Sequence, residues 1–255
     1  MEFVGKSLAL SSQGLAAVAS QLSVGLPEIA AVFSVETHGA GFLPDRRPQI
    51  LFERHIFSRF TAGRYDASNP TISNPTPGGY GDGGANQYVR LAQAIQLNRE
   101  AALQSASWGL AQVMGENCRM AGFDNVESMV AASMDSEDAQ LAAMGSFVLK
   151  NGLAGPLKIH DWQSFARGYN GPDYAINRYD IELNGFYQKY MVSATPDLQI
   201  RAAQIYLQFR GFDPHGIDGI FGNATRCALQ SFQGSVGIPV TGQLDEQTMA
   251  ALIPR

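Results

Sequence analysis

Two glutamates in this sequence stand where their neighbours could make acid–base catalysts of them. Glu36 follows Ile29, Val32 and Phe33 by seven, four and three residues. On a helix that spacing puts it on the apolar face, pointing inward. Pro27 fits the first turn of such a helix, and Gly39 marks its end. Glu36 then sits in the last turn, at the negative end of the helix dipole. Desolvation and dipole both disfavour a carboxylate, so the side chain should stay protonated near neutral pH. A carboxylic acid held in that state can protonate a glycosidic oxygen. Gly39 and Gly41 follow at once and would leave room for a ligand. The competing reading ends the helix at the surface, or satisfies a buried Glu36 with Arg46 or Arg47.

Glu53 closes the run Ile50-Leu51-Phe52 and precedes Arg54-His55. An acid behind three large apolar residues is rarely freely solvated. It could orient a water or stabilise an oxocarbenium ion opposite the first acid. The alternative is an ion pair with Arg54 or Arg59. Other reactive constellations are weak. His38, His55, His160 and His215 include no pair with helical zinc spacing, and no metal or cofactor is called for. Cys118 reads as a mid-helix packing residue, and there is no Gly-x-Ser-x-Gly or phosphate-binding loop.

The elements that must position these acids are mostly helices. Ser11 or Ser12 caps one that runs to about Leu22, and the Pro27–Gly39 helix follows. Further helices are expected at Asn86–Leu97, Asn98–Ala106, Trp108–Ala121, Asn125–Ala132, Ser136–Asn151, Asp161–Tyr169 and Pro172–Tyr190. Gln49 to Phe52 reads as a short strand or a helix start. Asp66 to Gly84 has no apolar period and is rich in Gly, Pro, Asn and Ser; loops of this length inside a domain are usually functional or mobile.

The C-terminal segment contains a repeat. Asp218-Gly219-Ile220-Phe221-Gly222-Asn223-Ala224-Thr225, followed by Ala228-Leu229, recurs after a gap-free shift of 23 residues as Thr241-Gly242-Gln243-Leu244-Asp245-Glu246-Gln247-Thr248, followed by Ala251-Leu252. Each copy is a Gly-containing turn leading into a helix, with Asn223 or Asp245 available as cap. Leu198, Ala202, Ile205, Tyr206 and Phe209 recur at helical spacing ahead of both, and Gly211 ends that helix. The result is a three-helix unit, joined through the short polar stretch Ser193 to Asp197.

Composition sets outer bounds. The chain has 255 residues, 45% hydrophobic and 16% charged, with a formal net charge of -5. That length fits one large and one small domain. An acidic chain with pI about 5.3 is a poor nucleic-acid binder, and a neutral sugar-like substrate suits it. Cys118 and Cys227 read as two buried free thiols in different domains, which fits a reducing cytoplasm. The N-terminus lacks a basic region before an apolar run, so neither a signal peptide nor stable membrane insertion is expected.

Four motifs in order carry a resemblance. They are Ser34-Val35-Glu36-Thr37-His38-Gly39-Ala40-Gly41-Phe42-Leu43, Arg47-Pro48-Gln49-Ile50-Leu51-Phe52-Glu53-Arg54-His55, Ser107-Trp108-Gly109-Leu110-Ala111-Gln112-Val113-Met114-Gly115 and Arg167-Gly168-Tyr169-Asn170-Gly171-Pro172. Over about Gly25 to Tyr190 the sequence resembles the N-acetylmuramidase domain of bacteriophage endolysins, a branch of the lysozyme-like superfamily. Asp218-Gly219-x-Phe221-Gly222-x-x-Thr225 and Phe232-Gln233 resemble a type 1 peptidoglycan-binding domain, with Thr241 replacing the usual Asp in the second copy.

The resemblance implies a mainly α architecture: a lysozyme-like helical catalytic domain over 1–192 with at most a small β element, then a three-helix peptidoglycan-binding domain over 196–255. It implies cleavage of the β-1,4 bond between N-acetylmuramic acid and N-acetylglucosamine in bacterial peptidoglycan. Glu36 takes the catalytic acid's place and Glu53 the second carboxylate's. Ser107, Gln112, Tyr169 and Asn170 should line the sugar cleft. Trp108 would stack on a sugar or pack in the core, and Tyr80 would cover the substrate. A phage endolysin, as a monomer, would wait in the host cytoplasm until a holin opens the membrane, then act at the wall. The rival reaction is a lytic transglycosylase, in which the muramic acid 6-hydroxyl attacks and leaves a 1,6-anhydro end. A non-catalytic wall-binding protein and a stem-peptide amidase are the remaining alternatives.

Overall fold

The computed structural model describes residues 2–37, 40–193 and 195–254. The chain opens with α1 (Ser12–Leu22) and α2 (Leu26–Thr37). Ser11 caps α1 by accepting from the Gly14 amide at 2.9 Å. Ser23 ends it in the left-handed region at φ 56°. The expected end of α2 at Gly39 lies outside the described residues. Ile29 to Val35 are all buried. Over that stretch the helix is therefore wrapped by protein on every side, with no polar face. Helix α10 (Tyr179–Val192) packs along α2, and α1 lies against α7 (Glu137–Lys150).

A small antiparallel sheet crosses this helical body. Strand β1 (Ile50–Phe52) pairs with β2 (Ala106–Trp108), and β2 with β3 (Val113–Met114). The register sets Ile50 against Trp108, Leu51 against Ser107, and Ser107 against Met114. Strand alternation then divides the residues between two faces. Ile50, Phe52, Trp108 and Val113 turn into the core, where all four are buried. Leu51, Ser107 and Met114 share the other face. The helix expected over Trp108–Ala121 does not form. Gly109 at φ 70° and Gln112 at φ 49° make a left-handed turn that returns the chain as β3 and a short 3-10 turn over Gly115–Asn117. Cys118 ends that turn and is buried, whereas Cys227 is exposed. The reading of Cys227 as buried is thus corrected.

Helices α3 (Arg54–Phe60), α4 (Ala85–Leu97), α5 (Arg99–Gln104) and α6 (Val126–Asp135) flank the sheet. Helices α8 (Ala154–Lys158) and α9 (Trp162–Asn170) precede α10. Asn98, Asn125, Ser136 and Asp161 cap α5, α6, α7 and α9 through their side chains. The segment expected as one helix over Pro172–Tyr190 is instead a 3-10 turn, Pro172–Ala175, followed by α10. No single helix among the described residues is long and apolar enough to cross a membrane.

Three helices close the chain: α11 (Leu198–Phe209), α12 (Asn223–Val236) and α13 (Glu246–Leu252). The repeat has a physical basis in two buried glutamines. Gln204 accepts from the Asp218 and Gly219 amides and donates to Thr225 Oγ1. Gln233 accepts from the Gly242 amide and donates to Thr241 Oγ1 and Thr248 Oγ1. Thr241 thus supplies the acceptor oxygen that Asp218 supplies to Gln204 in the first copy, at 2.9 Å. Asp245 caps α13. Asn223 does not cap α12: Gly222 occupies that position.

Candidate active site

Glu36 lies in the last turn of α2, directly after seven buried residues, and its side chain is half-buried. Burial pushes its pKa from 4.5 up to about 7, and a hydrogen bond from Asn170 pulls the other way. Asn170 Nδ2 donates to Glu36 Oε1 at 2.8 Å. Neither alternative partner reaches it. Arg47 pairs with Asp45, and Arg46 donates to the Gly5 and Lys6 carbonyls.

The loop after β2 is pinned to the same place. Tyr169, one residue before Asn170, donates to the Ala111 carbonyl at 2.6 Å. The Glu36 charge raises the Tyr169 phenol further beyond what its burial does. Ser107 Oγ donates to Gln112 Oε1 at 2.7 Å, and Gln112 Nε2 donates to the Gly109 carbonyl at 2.8 Å. The structure therefore brings Glu36, Asn170, Tyr169, Gln112 and Ser107 together. Trp108 is not among them. Its ring is 2% exposed, lies 5.8 Å from Phe3, and donates to the Leu103 carbonyl at 3.1 Å. Trp108 is a core residue, because it faces opposite to Ser107 on the strand. Gly41 also departs from expectation. A Cβ there would meet Gln140 Oε1 at 2.1 Å and the Leu110 amide at 2.9 Å, so this glycine serves close packing rather than ligand room.

Glu53 occupies the N-cap position of α3, yet its side chain caps nothing. Neither Arg54 nor Arg59 pairs with it: Arg54 donates to the Thr76 carbonyl and Arg59 pairs with Glu116. Burial raises its pKa, opposed by His55 and by a hydrogen bond from Tyr80. His55 Nδ1 stands 3.1 Å from Glu53 Oε2 but outside hydrogen-bond alignment. Helix α4 positions Tyr80. Gln87 Nε2 and Arg90 Nη1 each donate to the Tyr80 carbonyl at 2.8 Å, and Gln87 Oε1 accepts from the Phe52 amide at 3.1 Å. One turn of α4 thus holds both the Gly-rich loop and the strand that delivers Glu53. Tyr80 itself is 38% exposed.

Tyr179 lies within electrostatic reach of Glu36, and the sequence patterns do not single it out. Its pKa is raised to about 12 by burial, then by Glu36, with smaller effects of Glu182 and Tyr80. Tyr80 in turn feels Glu53. A cavity of about 700 Å³ between α2, α10 and the 217–221 loop contains neither glutamate. Chemically, burial leaves the Glu36 carboxyl about half protonated at pH 7 and holds the Glu53 carboxyl above the usual carboxylate range. Carboxyls shifted in this way suit acid–base chemistry such as the opening of a glycosidic bond.

Comparison with known proteins decides which bond. The N-acetylmuramidase family model matches residues 25–191, which contain every residue of the site. The chain belongs to the N-acetylmuramidase family. It is a glycoside hydrolase of peptidoglycan, and a peptidoglycan binding domain matches residues 196–252. Among solved structures the muramidase is similar to the endolysin of the Burkholderia phage AP3, at 40% identity and a TM-score of 0.66 over 72% of this chain and 71% of that one. No curated protein matches.

Proposed function

We propose that Glu36 protonates the glycosidic oxygen between N-acetylmuramic acid and N-acetylglucosamine, while Glu53 holds and activates the water that completes hydrolysis. The observation that carries this reading is the half-buried Glu36 carboxyl, bonded to Asn170, whose desolvation pushes its pKa up to about 7. A second, half-buried carboxyl at Glu53 favours an external water over the sugar's own hydroxyl, since a transglycosylase needs only one carboxyl. Ser107, Gln112, Tyr169 and Asn170 line the sugar cleft, and Tyr80 reaches over it. The catalytic unit occupies 1–192 and the wall-binding unit 196–255.

As a monomeric endolysin the protein serves host lysis by a phage. It accumulates in the host cytoplasm, passes a holin-perforated membrane and acts on the wall. Mass spectrometry of digested sacculi tests the chemistry. New reducing muramic acid ends are expected. Anhydro ends would replace hydrolysis by transglycosylation, and free stem peptides would overturn both.

A further inference from the structure

The catalytic and wall-binding units are joined by a buried ion pair. Arg201 on α11 contacts Glu137, the first residue of α7, with both guanidinium branches, at 2.5 and 2.9 Å. Arg201 is 1% exposed and Glu137 0%. The same carboxylate accepts two backbone amides: Leu10 at 2.8 Å and Gly41 at 2.7 Å. All of these donors converge on one side chain.

Gly41 is five residues beyond Glu36. Its segment lies between the two units: Ala40 belongs to the same apolar cluster as Ala202 and Ile205 of α11, and Phe42 meets Phe209 edge-on at 6.3 Å. The segment also bears on the cleft. Gln140, one turn along α7 from Glu137, accepts from the Leu110 amide at 2.6 Å. Gly41 packs against both Gln140 and Leu110 so closely that no Cβ would fit. Leu110 lies in the turn whose neighbours Ala111 and Gln112 contact Tyr169 and Ser107. Arg201 also bears on α2, with its guanidinium 5.7 Å from the ring of Phe33, three residues before Glu36.

We propose that Arg201 and Glu137 are positioning residues for catalysis: through them the wall-binding unit sets the 40–42 segment and thereby the cleft wall beside Glu36. The wall-binding unit is then part of the catalytic geometry and more than a tether. This rests on the assignment of Glu36 as the acid.

A tether and a positioning device differ on a substrate too small to engage the wall-binding surface. The test uses full-length Glu137→Gln/Arg201→Met, which removes both buried charges together and leaves one amide without its acceptor. The substrate is a soluble, peptide-free oligomer of alternating N-acetylglucosamine and N-acetylmuramic acid. We expect a folded protein whose kcat on this oligomer is at least ~10-fold below wild type, since small misplacements of catalytic groups are costly. KM should stay within about twofold, and co-sedimentation with sacculi should be unchanged. Arg201→Lys, which leaves the carboxylate and a cation in place, should recover much of the kcat. Wild-type kcat on the oligomer, with loss confined to sacculi, would overturn the proposal. Should the double variant fail to fold, Glu137→Gln/Arg201→Gln, which also removes both charges but keeps a side-chain amide at each position, is read by the same two outcomes. Glu36→Gln on the same oligomer separates the two assignments: activity there would refute the acid itself, whatever Arg201 does.

Discussion

Asn170 donates one hydrogen bond to Glu36, at 2.8 Å, against the full effect of burial on that carboxyl. The bond favours the ionised form, so it holds the pKa below where burial alone would put it. A general acid must be protonated to act. Turnover is therefore expected to fall as pH rises through about 7. Asn170→Leu removes the donor, and its basic limb should move to higher pH even if kcat drops. A limb that stays in place, or moves down, would show that Asn170 does not tune Glu36.

The same burial has a stability consequence. The Glu36 pKa rises from 4.5 to about 7 on folding, a shift equivalent to ~3 kcal/mol. Between those values the folded state keeps a proton that the unfolded chain has released. Stability from this group is thus complete below pH 4.5, declines as pH rises through the window, and is level above 7. Glu36→Gln has no carboxyl to ionise. It should be inactive, should still bind sacculi, and should melt above wild type at pH 8 but not at pH 4. Equal melting temperatures at pH 8 would mean that the carboxyl is better solvated than its surroundings indicate.

Glu53 tests the other half of the reaction. Its carboxyl must be ionised to activate water, and Tyr80 favours that form by donating to it. Tyr80→Phe should therefore raise the Glu53 pKa and move the acidic limb of the rate profile to higher pH. Glu53→Gln should lose turnover by a factor on the order of 10² or more, the range of general acid–base effects, while binding to sacculi persists. A Glu53→Gln protein with wild-type turnover would return this residue to a structural role.

The parts of the site that the sequence made legible are those with local signatures. The apolar run before Glu36 marked a buried helix, although α2 is enclosed all round over 29–35 and so has no polar face there for helical spacing to act against. The Gly-containing repeat marked the turns that Gln204 and Gln233 later hold. What stayed hidden depends on contacts between distant segments. Tyr179 comes within electrostatic reach of Glu36 because α10 packs along α2, and nothing near it in sequence signals that. Arg201 and Glu137 lie in amphipathic helices at positions that would be read as solvated charges, until α11 docks and buries both. The helix expected after Trp108 failed for a nearer reason. Two left-handed residues, Gly109 and Gln112, reverse the chain, and a non-glycine at φ 49° is not announced by its type.

That reversal decides what Trp108 does. Ser107 and Trp108 are adjacent on β2, so they must point to opposite faces. Ser107 takes the face with Gln112, and the indole is left to fill the core between Phe3 and the Leu103 carbonyl. Trp108→Ala should therefore cost about 3–5 kcal/mol of stability, the range for emptying a buried aromatic site. Trp108→Phe keeps most of the volume and loses only the bond to Leu103, so it should fold, with a modest drop in melting temperature and an unchanged KM for soluble glycan. The decisive measurement is the pairing of KM with melting temperature in Trp108→Phe. A several-fold rise in KM at wild-type stability would place the ring against substrate; lowered stability at wild-type KM is what a core tryptophan requires.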